Sequence, residues 1–201
     1  MTQLLLWWCL GSLAALIVLH VGTRRWRGHM VVVLITFLCW TVALASGALA
    51  MMLRTYAVLT LEEPVARIQC TRLDAPGHFQ LLYTPLTPQE RPPQTFELVG
   101  EQWMVSGEML KWHPWLQLIG FRTVHKPTRV EGRFARAADE RRQPPTVHEL
   151  NGGPGAVWQW LHQHGSRLPF VEAVYGNGVY TYVQPGQTST IYVTPSGYLV
   201  K

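Results

Sequence analysis

The first 53 residues of the chain contain no Asp, Glu or Lys, and their only formal charges are Arg24, Arg25 and Arg27. All twelve acidic residues of the 201-residue chain come later. Two uncharged runs, residues 3 to 22 and 30 to 53, flank the arginines. As helices rising about 1.5 Å per residue, both runs can cross most or all of a hydrocarbon core about 30 Å thick. We therefore predict two transmembrane helices.

Soluble core helices and a cleaved signal peptide are the alternatives to a membrane anchor for these two runs. Buried helices of a soluble protein are disfavoured, because a chain of this size has no core large enough for two helices that are apolar all round. A cleaved signal peptide would carry basic residues before its apolar stretch, but here only "MTQ" precedes the first run and the arginines follow it. We favour a helical hairpin anchor formed by residues 1–54.

The arginines predict the orientation of this hairpin. Basic residues that flank membrane spans stay in the cytoplasm, and the loop of residues 23–29 holds three of them, whereas only Arg54 directly follows the second run. We therefore expect a cytoplasmic loop, with both termini and residues 55–201 on the outer side. Usage rich in Arg and poor in Lys favours a bacterial inner membrane, with the C-terminal domain in the periplasm.

Small residues offer the two spans a way to pack. Gly11 and Ala15 are four residues apart in the first run, as are Ala43 and Gly47 in the second, so each helix presents a shallow face for close approach. The alternative, that Gly and Ala are simply common in membrane spans, stays open.

From residue 55 onward, short alternating segments replace the long apolar runs. Their length and their content of β-branched and aromatic residues predict antiparallel strands in a β-sandwich or barrel-like domain. The predicted strands are 66–73, 78–84, 94–99, 102–107, 128–134, 178–184 and 189–195. The predicted turns are "GNG" at 176–178, "PGQ" at 185–187 and "PSG" at 195–197.

One or two short helices are expected in this domain. The stretch "GGPGAVWQWLHQHG" has Pro154 suited to a first helical position and Gly165 suited to ending the helix. Val157, Trp160 and Leu161 would share one face of that helix. A second helix or turn is expected in "PFVEAVYG", and a solvated loop in "ARAADERRQPP". The fold class is thus α+β, with a transmembrane hairpin followed by a mainly antiparallel β-domain.

The tryptophan-rich segment 101–123 divides at Pro114. Before the proline the pattern alternates like a strand, with Trp103 and Val105 on one face, and after it "PWLQLIG" predicts one or two helical turns that end at Gly120. This apolar turn either caps the β-domain as core or contacts the membrane or a partner. The candidate interface residues are Lys111, Trp112, Trp115, Leu116, Leu118 and Ile119.

Three stretches carry a resemblance to a known family: "GEQWMVSGEMLKWHPWLQLIGFRT", "RVEGRF" and "LPFVEAVYG". They resemble signature stretches of small bacterial membrane proteins known as cation/multidrug efflux pumps or multidrug transporters. The resemblance covers roughly the outer domain and implies a role in export. Two spans without an acid or base inside the membrane would act there only as a subunit or as a homo-oligomer.

Residues that commonly carry catalysis or bind metals do not form a recognisable set. His162 and His164 point away from each other on a helix, and Ser106 and Ser166 lack a nucleophile-elbow context. Cys70 is the only cysteine outside the spans, and its place in an alternating strand predicts a buried thiol. We predict no cofactor, no metal and no catalysis.

The expected function is therefore interaction. Of the 17 basic residues, three belong to the arginine cluster, which leaves 14 against twelve acidic ones in the rest of the chain, so a nucleic acid partner is not expected. The predicted partners are the lipid bilayer and a larger membrane protein complex or further copies of the chain. An accessory or assembly protein is the favoured function, and a component of an efflux system is the alternative.

Overall fold

The computed structural model describes Gly11, Leu13, Ala14, Ile17 and residues 29–86 and 92–201. The chain divides into two compact units, Met1–Val58 and Leu59–Lys201. The fold is α+β: one long apolar helix near the N-terminus precedes two antiparallel sheets.

The long helix, α1, spans His29–Leu59. Among the described residues it is the one helix long and apolar enough to cross a membrane, over Val33–Leu59. Length and composition of this kind suit a membrane anchor, and a signal sequence has them too. The helix continues beyond the predicted span, through Leu59, because nothing in "RTYAVL" interrupts a helix.

Most of the first predicted span lies outside the described residues, as do Ala15, Arg24, Arg25 and Arg27. Gly11 has helical backbone conformation. The predicted hairpin and its cytoplasmic loop therefore stay predictions.

Nine strands build the second unit, and they form two sheets. The five-stranded sheet has the order β3-β2-β1-β8-β9 and the four-stranded sheet the order β6-β5-β4-β7, with antiparallel pairing throughout. The strands are β1 Glu63–Arg72, β2 His78–Pro85, β3 Gln94–Val99, β4 Gln102–Trp112, β5 Val124–Arg133, β6 Val147–Glu149, β7 Val171–Tyr182, β8 Thr188–Thr194 and β9 Gly197–Val200.

The core lies between the two sheets. Ile68, Leu81 and Ile191 from the larger sheet pack with Trp103 and Val130 from the smaller one. Along β4, Trp103 and Val105 are buried while Met104 between them is half-buried, as the alternation predicts. A second apolar cluster on the other face of β4 joins Leu110 to helix residue Trp158.

All seven predicted strands are present, but the prediction for β7 is wrong in its first half. Residues 171–177 are strand and not a helix or turn, and "GNG" lies inside β7. Gly178 belongs there because Met104 of β4 fills the place that a Cβ would take. The turns at 185–187 and 195–197 are confirmed. The short strands β6 and β9 were not predicted.

Three helices accompany the sheets: α2 Pro114–Leu118, α3 Ala137–Arg142 and α4 Gly155–His164. Helix α3 lies within the stretch predicted as a loop. Helix α4 is confirmed. Val157 and Trp160, two of the residues predicted to share a face, are exposed, and Trp158 is the buried residue of the helix. Gly165 permits close packing of the helix end on β7, since an added Cβ would lie 2.8 Å from the Val174 side chain.

Candidate interaction surface

The tryptophan-rich segment forms the end of β4 and the short helix α2. Pro114 occupies the start of α2, where its missing N–H needs no partner. Gly120 has a φ of 110°, which favours glycine and turns the chain away from the helix. The Phe121 N–H then donates to the Leu116 carbonyl at 3.0 Å and fixes the return of the chain. Both helix boundaries agree with the sequence.

Helix α2 divides the predicted interface residues between core and surface. Leu116 is 7% exposed, whereas Trp115 is 51% and Ile119 61% exposed. Leu118 is half-buried. Gln117, which sequence reasoning did not single out, is buried and donates from its side-chain amide to the Trp112 carbonyl at 2.8 Å. The turn therefore contributes Leu116 and Gln117 to the core and exposes Trp115 and Ile119.

Trp112 lies beneath this turn as a half-buried support. Its indole Nε1–H donates to the Arg122 carbonyl at 2.8 Å, so its polar atom is satisfied. Its ring meets Phe121 edge-on at 5.7 Å between centroids and lies 6.2 Å from the ring of Phe170. Lys111 at the end of the same strand pairs with Glu172 of β7, with 2.9 Å between Nζ and Oε1.

Four exposed apolar side chains lie in this turn or, like Phe170, beside Trp112, and we name them the apolar tip: Trp115, Ile119, Phe121 and Phe170. The sequence prediction missed Phe121 and Phe170. Phe121 could have been included from the sequence, because it is an aromatic residue that directly follows the helix-ending Gly120. Phe170 is brought close because β7 pairs with β4 from Trp112 onward.

The tip lies at the end of the β-unit where the chain arrives from α1. Arg122, next to Phe121, forms an ion pair with Glu63, the first residue of β1. Glu62, the residue before it, forms an ion pair with Lys201. Strand β1 begins at this end of the β-unit, so its first residue, Glu63, contacts the segment that follows α2.

A second exposed apolar feature is the ridge of α4, formed by Val157 and Trp160. The Trp160 ring stacks on the His164 imidazole with 5.1 Å between centroids, and the His164 Nδ1 lies 3.1 Å from the Trp160 carbonyl. On the opposite side of the helix, His162 Nε2 lies 2.5 Å from Glu108 Oε2 of β4. Trp158 and His162 therefore hold α4 on the sheet, and the ridge faces outward.

Burial shifts the pKa of several titratable groups of the β-unit. Cys70 is buried, as predicted, and loss of hydration raises the pKa of its thiol to about 11. Burial also raises the pKa of Tyr198, whose hydroxyl lies 3.4 Å from His125 Nδ1. The described residues include no group of three or more side chains suited to a metal ion.

A groove of about 590 Å³ lies at the other end of the β-unit. The turn between β1 and β2 lines it together with Glu101 and Tyr182. Its side chains bear both signs of charge, including Arg72, Asp74 and His78, and they define no single class of ligand.

The predicted helix-packing residues are partly described. Gly47 is exposed on α1 with nothing within 4 Å of an added Cβ, and Ala43 is half-buried. Their pairing with Gly11 and Ala15 stays a prediction.

No protein family, curated protein or solved structure matches the chain.

Proposed function

We propose that the protein is a membrane-anchored accessory or assembly protein. In this proposal α1 holds the β-unit on the periplasmic face of a bacterial inner membrane, and the β-unit binds a larger membrane complex without catalysing a reaction. The observation that carries the proposal is α1 itself. None of its described side chains over Val33–Leu59 is buried, and a soluble protein rarely exposes so large a contiguous apolar surface.

The dimensions and polar groups of α1 agree with a span. The 27 residues of its mainly apolar stretch, Val33–Leu59, extend about 40 Å, more than a hydrocarbon core of about 30 Å requires. The Thr41, Ser46 and Thr55 hydroxyls donate to the Leu38, Val42 and Met51 carbonyls at 2.7 to 2.8 Å. Hydroxyls satisfied inside the helix need no water, which suits a lipid environment.

The ridge of α4 is the surface proposed for the protein partner. Val157 and Trp160 project from a helix that is fixed by Trp158 and by the contact between His162 and Glu108. An exposed tryptophan that is already ordered, here by stacking on His164, loses little entropy when a partner covers it.

Purification of the tagged full-length protein in a mild detergent, with mass spectrometry of its companions, tests the proposal. We expect one stoichiometric membrane partner and an intact mass that includes α1. A chain cleaved after α1 would show a signal sequence and contradict the anchor. Recovery of the chain alone as a discrete oligomer would contradict the accessory role and favour transport.

Matched variants connect the partner to the ridge. We expect the double variant Val157→Ser/Trp160→Ser to lose the partner while it keeps its melting temperature. Tyr182→Ser removes an equally exposed aromatic ring at the other end of the unit and should retain the partner. Loss of the partner in both variants, or in neither, would contradict the assignment to the ridge. The efflux role stays a prediction, because no feature of the described residues favours it.

A further inference from the structure

We propose that the apolar tip is a lipid-binding surface that inserts into the headgroup region of the bilayer that α1 crosses. This inference rests on the proposed function and assigns its second apolar surface to lipid and not to a protein.

The tip has the chemistry of a membrane-interface anchor. Trp115, Ile119, Phe121 and Phe170 expose large apolar side chains from one end of a folded unit. Tryptophan and other aromatic rings are enriched at the depth of the lipid headgroups. The polar groups beneath the tip are already paired, since the Trp112 indole and the Gln117 amide both donate to backbone carbonyls. Insertion would therefore strip water from few unpaired polar atoms.

The connector brings a bilayer within reach of the tip. Helix α1 ends at Leu59 and β1 begins at Glu63, so the intervening residues can bridge at most about 14 Å. Glu63 lies at the tip end of the β-unit, because it pairs with Arg122. A bilayer crossed by α1 is consequently held close to the tip at all times, which gives lipid a high effective concentration there.

The charges at the rim fit a lipid surface. Lys111 and Arg122 lie beside the tip, and each is paired with a glutamate. Side chains of this kind can exchange their partners for lipid phosphates, as basic residues near membranes do. His113, whose ring lies 6.4 Å from that of Trp115, adds a third group that can donate to phosphate.

A depth measurement on single-cysteine variants tests the proposal. The background Cys9→Ala/Cys39→Ala retains Cys70, which is buried and whose pKa of about 11 leaves it unreactive at neutral pH. An environment-sensitive fluorophore is attached to Ile119→Cys, to Leu73→Cys after β1, or to Leu44→Cys in α1. All three positions are exposed in the structure. The full-length proteins are placed in nanodiscs of phosphatidylethanolamine and phosphatidylglycerol, and in amphipol as a state without a bilayer.

We expect the label at 119 to shift to shorter wavelength in nanodiscs and to be quenched by lipids that carry a nitroxide near the headgroup. The label at 73 should stay in water, and the label at 44 should be quenched by nitroxides deep in the bilayer. A water-like label at 119 beside a quenched label at 44 would overturn the lipid contact and leave the anchor intact. An unquenched label at 44 would refute the anchor and the proposed function together. Equal protection at 119 in amphipol would show that the tip is covered without a bilayer and would overturn the lipid assignment.

Discussion

Gly107 lies where three strands approach one another closely. An added Cβ would collide with the backbone oxygen of Lys126 on β5 and lie 2.8 Å from the Tyr198 hydroxyl. We expect Gly107→Ala to lower the free energy of unfolding by about 1–3 kcal/mol, because backbone cannot move aside as a flexible side chain would. Gly176→Ala, which meets nothing within 4 Å, is the matched control. Urea unfolding of the full chain in detergent measures both, and equal midpoints would contradict the prediction.

His125 makes the free energy of unfolding of the β-unit depend on pH. Loss of hydration lowers its pKa, and Glu63 opposes this effect only in part. The folded state therefore binds fewer protons than the unfolded chain below about pH 6.5, so the free energy of unfolding falls as the pH decreases through that value. We expect His125→Gln to flatten this dependence between about pH 5 and pH 8. Urea unfolding across that range measures it, and an unchanged slope in the variant would assign the effect to other groups.

For single residues, the sequence shows which side chains are apolar but not which of them are exposed. Trp115 and Leu116 are neighbours with the same apolar character, yet only Leu116 is buried. A helix of five residues is too short for periodicity to show which side faces the core. The meeting of Phe121 and Phe170 with Trp112 depends on the pairing of β4 with β7, which lies far along the chain and leaves no local signal.

Trp158 is the one buried residue of helix α4 and supplies its main apolar contact with the sheet. Trp158 packs with Leu110 and Val171, whereas Trp160 two residues later points outward. We expect Trp158→Ala to cost about 3–5 kcal/mol and to release the helix from the sheet. Trp160→Ala should change stability by no more than about 0.5 kcal/mol. Hydrogen exchange over residues 155–164 distinguishes the two, and slow exchange retained in Trp158→Ala would show that other contacts hold the helix.

Strand prediction succeeded where alternation was uninterrupted. Strand β3 was predicted to the residue, because polar and apolar side chains alternate through its centre, from Thr95 to Leu98. The first half of β7 was mistaken for a helix or turn, since two glycines around Asn177 look like turn chemistry. In the structure Asn177 accepts from the Tyr198 N–H at 2.7 Å, so this side chain joins β7 to β9 within the strand. Such a role requires a partner that the local sequence does not show.

The chain has two compact units, of which the first contains the apolar helix α1 and the second is the β-unit. The change in composition near residue 54 predicts this two-part organisation, and the two compact units meet after Val58. Composition alone places the change several residues too early, because "RTYAVL" is compatible both with a helix and with the start of a domain. The last turn of α1 therefore leaves only a short connector before β1.

Lengthening that connector should weaken the lipid contact of the tip. Inserting about 20 Gly and Ser residues after Leu61 gives a segment with a root-mean-square span of about 25 Å, which lowers the effective concentration of lipid at the tip. We expect the label at position 119 to lose part of its quenching by headgroup nitroxides, while the label at position 44 keeps its own. The melting temperature of the β-unit should not change, because the insertion lies before β1. Undiminished quenching at 119 would show that the four side chains of the tip hold lipid without help from the connector, which would contradict the role assigned to the connector.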